Sequence, residues 1–182
     1  MLRVIAGSAR SVPLKTLPSM DTRPTTDRVK ETLFNLIQDE IYGSLFLDLF
    51  AGSGQIGIEA ISRGAREAVF VEKSKKACAI IEENLNKTHF LSQAKILTRD
   101  YNVALPMLSD PFDLIFMDPP YDLNCEAEVL RLIADTGLLA EDGCIIIEAK
   151  KEKSFSFVED LPFLVERTKI YKTNQHVFLR SL

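Results

Sequence analysis

The sequence predicts an α/β fold in which a parallel sheet is covered by helices on both faces. Three observations predict it. From Leu45 onward, short apolar runs alternate with amphipathic segments, the pattern of βαβ units. A glycine-rich stretch, FAGSGQIG (50–57), joins the first apolar run to the segment after it. Asp48 with its following loop, Glu72, Asp100 and Asp118 all fall at or just past predicted strand ends, the edge where ligands bind in such sheets.

Residues 2–6 and 12–17 read as two short strands around GSARS, a hairpin. Residues 18–27 are rich in turn formers and carry no apolar pattern. Thr26 or Asp27 then caps a helix on which Val29, Leu33, Leu36, Ile37 and Ile41 recur at helical spacing. LFLDLF (45–50) is a strand, and Ile56 to Arg63 a short helix ended by Gly64. AVFVE (68–72) is the next strand. Ser74 caps a helix carrying Ala77, Ile80, Ile81 and Leu85. AKILT (94–98) and FDLIFM (112–117) are strands, 125–136 is a helix, and CIIIEA (144–149) is a strand entered from a turn at Asp142–Gly143. Residues 163–171 and 175–181 close the chain as an antiparallel pair.

The length, 182 residues, suits one domain spanning 1–182, with a basic hairpin and loop over 1–27 and a catalytic core over 28–182. Apolar residues make up 46% and charged residues 26%, as in soluble globular proteins. No apolar run approaches the roughly 18 residues of a membrane span, so no membrane partner is expected. The N-terminus has no apolar stretch followed by a cleavage site, which argues against secretion. Cys78, Cys125 and Cys144 are odd in number and widely spaced, which points to neither a disulfide framework nor a metal site, and a cytoplasmic setting fits. Net charge is −4, unevenly distributed. Residues 1–30 hold six cations against Asp21 and Asp27, a net +4, which leaves −8 on the rest. That asymmetry suggests a basic arm on an acidic body.

The glycine stretch holds a G-x-G-x-x-G at Gly52, Gly54 and Gly57, with Glu72 roughly where a ribose-binding acid belongs. This alone also suits a nicotinamide enzyme. Asp48 shifts the balance, because a carboxylate there repels a diphosphate and favours a cationic amine. S-adenosylmethionine, which carries an amine, a carboxylate and a ribose, fits better. Asp48 is expected near its ammonium and the loop N–H groups near its carboxylate, at a helix N-terminus. Glu72 is expected at the ribose, and Asp100 is a candidate for the adenine amine.

FDLIFMDPPYD (112–122) runs an apolar strand into two prolines that cannot extend a sheet ladder. The result is a carboxylate and an aromatic ring on a stiff backbone, the rigid placement that catalysis needs. An exocyclic base amine is a poor nucleophile because its lone pair is delocalised into the ring. Asp118 and the Pro119 carbonyl are placed to accept its two N–H bonds, which aims the lone pair at a methyl donor. Tyr121 is placed to stack on the extruded base, a contact worth about 1–3 kcal/mol. His89 and His176 are isolated and read as surface or packing residues. Phe34, Phe46, Phe50 and Phe70 read as core.

RVIAGSAR, TRPTTDRVKETLFN, LDLFAGSGQIGIEAISRGA, VFVEKSKKA and FDLIFMDPPY together resemble the RsmD family, bacterial (guanine-N2)-methyltransferases of small-subunit (16S) ribosomal RNA. The resemblance runs from residue 3 to the end and is strongest over 21–121. It implies a Rossmann-like, seven-stranded class I methyltransferase fold with a short N-terminal β-hairpin extension. It implies S-adenosylmethionine as donor, S-adenosylhomocysteine as product and a guanine N2 as acceptor. The cofactor-binding set is then Asp48, Phe50, Ala51, Gly52, Ser53, Gly54, Glu72, Lys73, Asp100 and Tyr101. The catalytic set is Asp118, Pro119, Pro120 and Tyr121. Arg3, Arg10, Arg23 and Arg28 are RNA-facing candidates, while Thr25 and Asp27 are candidates for ordering the loop over the cofactor. The expected partner is 16S RNA within an assembling or assembled small subunit, met by a monomer.

Two departures stand out. Many relatives carry Gly-Arg after the position of Arg10, where this chain has Ser11-Val12, and Gln55 stands where a small residue is usual. The main alternative is another amino-methyltransferase, such as one acting on adenine N6 of DNA. Such relatives more often have Asn at the position of Asp118 and add a target-recognition region for which this chain has no room. A nicotinamide oxidoreductase is disfavoured by Asp48, and a non-catalytic RNA-binding relative by the intact DPPY.

Overall fold

The computed structural model describes residues 2–17 and 27–182. Seven strands form one sheet in the order β3-β2-β1-β4-β5-β7-β6. They are β1 (Leu45–Leu49), β2 (Glu67–Val71), β3 (Ala94–Leu97), β4 (Phe112–Met117), β5 (Leu139–Lys150), β6 (Phe163–Ile170) and β7 (Asn174–Ser181). β1 to β5 are mutually parallel; β7 inserts antiparallel between β5 and β6. The helices are α1 (Asp27–Leu36), α2 (Gln38–Ile41), α3 (Gln55–Ser62), α4 (Lys75–Thr88), α5 (Tyr101–Ala104) and α6 (Glu126–Thr136).

Strand alternation splits the core in two. Phe46, Phe70, Leu114, Phe116, Ile146 and Phe178 face α1, α3 and α4, with Phe34, Ile58 and Ile81 opposite them. Leu47, Val69, Ile115, Met117, Ile147 and Val177 face the other way, against Tyr101, Val129 and Ile133 of α5 and α6. These central strands are buried almost throughout, which is why they read as continuous apolar runs.

The predicted elements are present, with four differences. The first helix is interrupted at Ile37 (φ −115°, ψ 14°), which divides α1 from α2. β5 begins at Leu139, so the expected Asp142–Gly143 turn is a bulge inside a long strand: Leu139 pairs with Phe112 and Cys144 with Leu114, leaving exposed polar residues between them. α5 had no apolar periodicity long enough to announce it. The N-terminal segment is not a regular two-stranded hairpin. It makes one antiparallel bridge, Arg3 with Pro13, flanked by Val4 N–H to the Val12 carbonyl (3.0 Å), Ser11 N–H to the Val4 carbonyl (2.9 Å) and Leu14 N–H to the Leu2 carbonyl (2.9 Å); Pro13 itself has no N–H to extend the ladder.

Five further amides of the segment bond α3 and α4. Ile5 and Ala6 N–H donate to the two oxygens of Glu59 (2.8 and 3.0 Å), and Ser8 and Ala9 N–H to the carbonyl and Oγ of Ser62 (2.8 and 3.0 Å). Lys15 N–H donates to Asn84 Oδ1 (2.8 Å), whose amide returns a bond to the Lys15 carbonyl (3.0 Å). Ser11 takes a left-handed φ of 70°, a conformation that favours glycine. Thr25, Thr26 and Arg23 lie outside the described residues.

Candidate active site

β1 has β2 on one side and β4 on the other, so the sheet reverses its winding at the carboxyl ends of β1 and β4. Phe50 leaves β1 at φ 60°, a strained value for an aromatic residue and of a kind that gathers at functional sites. The loop then turns through Gly52 (φ 57°) and Gly54 (φ 76°) into α3. Asp48 is 2% exposed, and its Oδ2 accepts from Gly57 N–H at 2.9 Å. Burial pushes its carboxyl up to about 8; the Gly57 bond opposes this and the charge of Glu72 adds to it. Glu72 accepts Gly52 N–H on Oε2 (3.0 Å) and Ser74 N–H on Oε1 (2.8 Å), tying the loop to the cap of α4. Ala51 N–H donates to Val71 O at 3.1 Å, and Ser53 O accepts from Asn84 at 2.9 Å. The loop is thus fixed by β2, α4 and the residue that also holds Lys15.

The remaining predicted cofactor residues flank this loop. Asp100 precedes α5 without a side-chain capping bond, and its carboxylate lies 3.9 Å from Lys73 Nζ. Tyr101 packs its ring on Phe50 (centroids 5.5 Å) and donates its hydroxyl to Glu128 at 3.0 Å. Burial pushes that hydroxyl up to about 12, so Tyr101 contributes a ring wall here and its polar end is already engaged.

Asp118 follows β4 directly. Met117 pairs with Ile147, which brings Asp118 level with Glu148 on the neighbouring strand. Asp118 keeps part of its surface open, and among the described residues no donor reaches its carboxyl. Desolvation raises that carboxyl well above the ordinary carboxylate range, with the charges of Glu148 and then Asp48 adding to the rise. Pro119 is buried and Pro120 exposed. The Tyr121 ring is 42% exposed, with Lys150 Nζ 5.1 Å from its centroid. By strand alternation Asp48, Asp118 and Glu148 lie on the same face of the sheet, beyond Phe46, Phe116 and Ile146.

Sequence reasoning missed Glu148; it read His176 as a surface or packing residue, and packing is what the structure shows, although the ring is hydrogen-bonded and not isolated. His176 of β7 is wholly buried, packed edge-on to Phe116, and both ring nitrogens are engaged. Nε2 lies 3.1 Å from Glu148 Oε2, and Nδ1 3.1 Å from the Tyr171 hydroxyl. Asn174 donates to the other Glu148 oxygen at 2.6 Å. One signal was available: CIIIEA, like LIFMD, ends an apolar run in an acid at the carboxyl edge.

The basic arm is smaller than its composition suggested. Lys30 is fully buried; its ammonium donates to the Arg3 carbonyl (2.6 Å) and lies 3.5 Å from Glu59. Arg3 pairs with Asp27 (3.1 Å) and Lys15 with Glu83 (2.7 Å). Arg10 and Arg28 are exposed, and no carboxylate of the described residues pairs with them. Arg10 belongs to the turn bonded to Ser62, at the far end of α3 from Gln55, about 10 Å along the helix. It therefore stands away from the catalytic edge.

A cationic ligand fits this set. Gln55 Oε1, at the first residue of α3, is a buried acceptor with no hydrogen-bond partner. Asp48 and Asp118 are carboxyls raised first by desolvation and further by neighbouring negative charge. Such a group is stabilised by a donor carrying charge.

The family described as conserved hypothetical protein 95 matches residues 2–179. YlbH of Bacillus subtilis (strain 168) is 40% identical over 154 residues, covering 83% of this chain and 84% of that one. Ribosomal RNA small subunit methyltransferase D of Haemophilus influenzae is 36% identical over 173 residues, covering 92% and 88%. The solved structure of a hypothetical protein from Thermus thermophilus superposes with a TM-score of 0.85 at 29% identity, each chain covered completely. With the family match, these relatives and a fold shared over the whole chain, the protein belongs to the RsmD family and has the seven-stranded, Rossmann-like class I methyltransferase fold.

Proposed function

We propose that the protein transfers a methyl group from S-adenosylmethionine to the exocyclic N2 of a guanine in small-subunit ribosomal RNA. One observation carries the reading: Asp118 is a desolvated carboxyl with no donor among the described residues, held by two prolines at the switch point of a methyltransferase fold. S-adenosylmethionine supplies an electrophilic methyl on a cationic sulfur. Asp48 and Gln55 would hold its cationic end, Gly52 and Gly54 its carboxylate end, Glu72 the ribose and Asp100 the adenine. Asp118 and the Pro119 carbonyl accept the two N–H bonds of the guanine amine and orient its lone pair. As nitrogen gains the methyl it becomes cationic, and its surplus proton passes to an Asp118 oxygen. Tyr121 stacks on the base, the open side of its ring opposite Lys150. Arg28, Arg10, Arg3 and Arg23 supply phosphate contacts, and a ribosomal substrate sets the protein to work in the cytoplasm.

The test is transfer of labelled methyl from S-adenosylmethionine to unmodified small subunits, followed by digestion and identification of the labelled nucleoside. N2-methylguanosine is the expected product. Asp118→Ala should lower the rate by about 100-fold or more while S-adenosylhomocysteine still binds. Label in adenine, or near-normal transfer by Asp118→Ala, would overturn the reading.

A further inference from the structure

The residues beside Asp118 form a polar chain across neighbouring strands. Register places Asp118 level with Glu148, and Glu148 opposite His176. Glu148 is 6% exposed and His176 wholly buried. The Tyr171 hydroxyl, pushed up to about 12 by burial and then by the charge of Glu148, keeps its proton. It therefore donates to His176 Nδ1 (3.1 Å), which leaves the ring proton on Nε2 to donate to Glu148 Oε2 (3.1 Å). Asn174 donates to Oε1 at 2.6 Å. These three bonds all run toward Glu148. A four-membered device of this kind exceeds what strand packing requires; an aliphatic residue at 176 would fill the space beside Phe116.

We propose that Glu148 is a positioning residue for Asp118, braced by His176, Tyr171 and Asn174 so that its carboxylate stands fixed beside the catalytic carboxyl. The inference rests on the assignment of Asp118 given above. A fixed negative neighbour disfavours a second charge on Asp118. Asp118 is faced by Asp48 from β1, Glu148 from β5 and Tyr121 from its own turn, with Lys150 beyond the Tyr121 ring. His176 is faced by Tyr171 and Glu148, and its register partner on β6 is the exposed Lys169. Within this set Glu148 is the charge that weighs most on Asp118. Added to desolvation, this charge favours the neutral form of Asp118 until a cationic ligand arrives, so that the acceptor is switched on by loading of the site.

Two readouts test this. The first is the ¹³C carboxyl titration of Asp118 in the ligand-free protein and in Glu148→Gln, which needs no RNA. The second is the pH dependence of single-turnover methyl transfer to unmodified small subunits. Removing the Glu148 charge should lower the Asp118 midpoint by about one to two pH units, and the acid limb of the rate profile should move down with it. His176→Gln, whose amide still donates to Glu148, should keep the wild-type midpoint, whereas His176→Phe should lower it by releasing the brace. His176→Phe also carries the test should Glu148→Gln fail to fold. An Asp118 midpoint unchanged in both Glu148→Gln and His176→Phe would overturn the inference, as would a rate lowered equally at every pH with no movement of the limb. A wild-type protein that methylates no RNA, with the Asp118 midpoint still shifted by Glu148→Gln, would instead refute the proposed function and leave the coupling standing.

Discussion

Asp48 shows how one buried side chain links the fold to the ligand. Its carboxyl is shielded from water and given a single amide donor, so it ionises only near pH 8, against 3.8 for a free side chain. Folding therefore favours the protonated form. The resulting stability is complete below about pH 4 and is lost as pH rises through about 8. Asp48→Asn keeps an oxygen for Gly57 N–H and removes the charge. In the ligand-free protein the wild-type melting temperature should fall between pH 5 and 9, and the variant should flatten that fall. It should also weaken S-adenosylmethionine binding most at alkaline pH, where the wild-type carboxylate is ionised. Calorimetric binding below pH 8 should show proton release by the wild type and less by the variant. A wild-type melting temperature that rises over this range would contradict the assignment.

At the scale of elements, α3 is the part that converts sequence into site. Its start carries the loop, its middle holds Asp48 through Gly57, and its end holds the N-terminal turn. Gly57 is needed for closeness: a Cβ there would lie 2.4 Å from Cε1 and 2.7 Å from Cζ of Phe70, a ring with no exposed surface. Gly57→Ala gains about 0.5–1 kcal/mol of helix propensity. It should still destabilise the protein by about 1–2 kcal/mol, because overpacking costs about 1–3 kcal/mol. It should also move the Gly57 amide off Asp48 and weaken cofactor binding. Denaturant unfolding checks the first point, and adding Phe70→Leu should recover most of the loss. The central strands and α3 were legible because a strand buried on both faces must be apolar throughout, and because a glycine loop can serve only a tight turn or a bound ligand. The start of β5 was not legible, since Ala140 to Gly143 looks like a turn whether it ends a strand or bulges from one. Nor was the His176 chain. Glu148 lies far from Tyr171 and His176 in sequence, and antiparallel insertion of β7 beside β5 is what brings them together. Lys30 reads as an arm cation until the fold supplies Glu59.

For the whole molecule, the N-terminal segment is built into the core, although its composition suggests an appended arm. Val4 has no exposed surface, Leu14 is 6% exposed and Ala9 7%, all within the cluster that covers α1, α3 and α4. Burying Val4 and Leu14 contributes about 1.5–3 kcal/mol each. The larger effect lies in Glu59, a carboxylate with no exposed surface that accepts from Ile5, Ala6 and Arg63 beside Lys30. Removing residues 1–17 deletes two of those donors and the Arg3 carbonyl that holds Lys30, leaving a buried ion pair short of partners. Each buried group left without its hydrogen-bond partner costs about 1–3 kcal/mol, more where it is charged. Together these terms approach the total stability of a small protein, about 5–15 kcal/mol. The same deletion frees Asn84, which ties Lys15 to the Ser53 carbonyl in the glycine loop. A chain lacking residues 1–17 should therefore lose most of its unfolding free energy and its affinity for S-adenosylhomocysteine together. Glu59→Gln with Lys30→Met, made in the full chain, should retain a cooperative transition because it removes both charges at once. Were the segment only an RNA-binding arm, truncation would abolish RNA affinity while melting temperature and cofactor affinity stayed at wild-type values. Thermal melting and cofactor titration of the truncated chain distinguish the two without any RNA present.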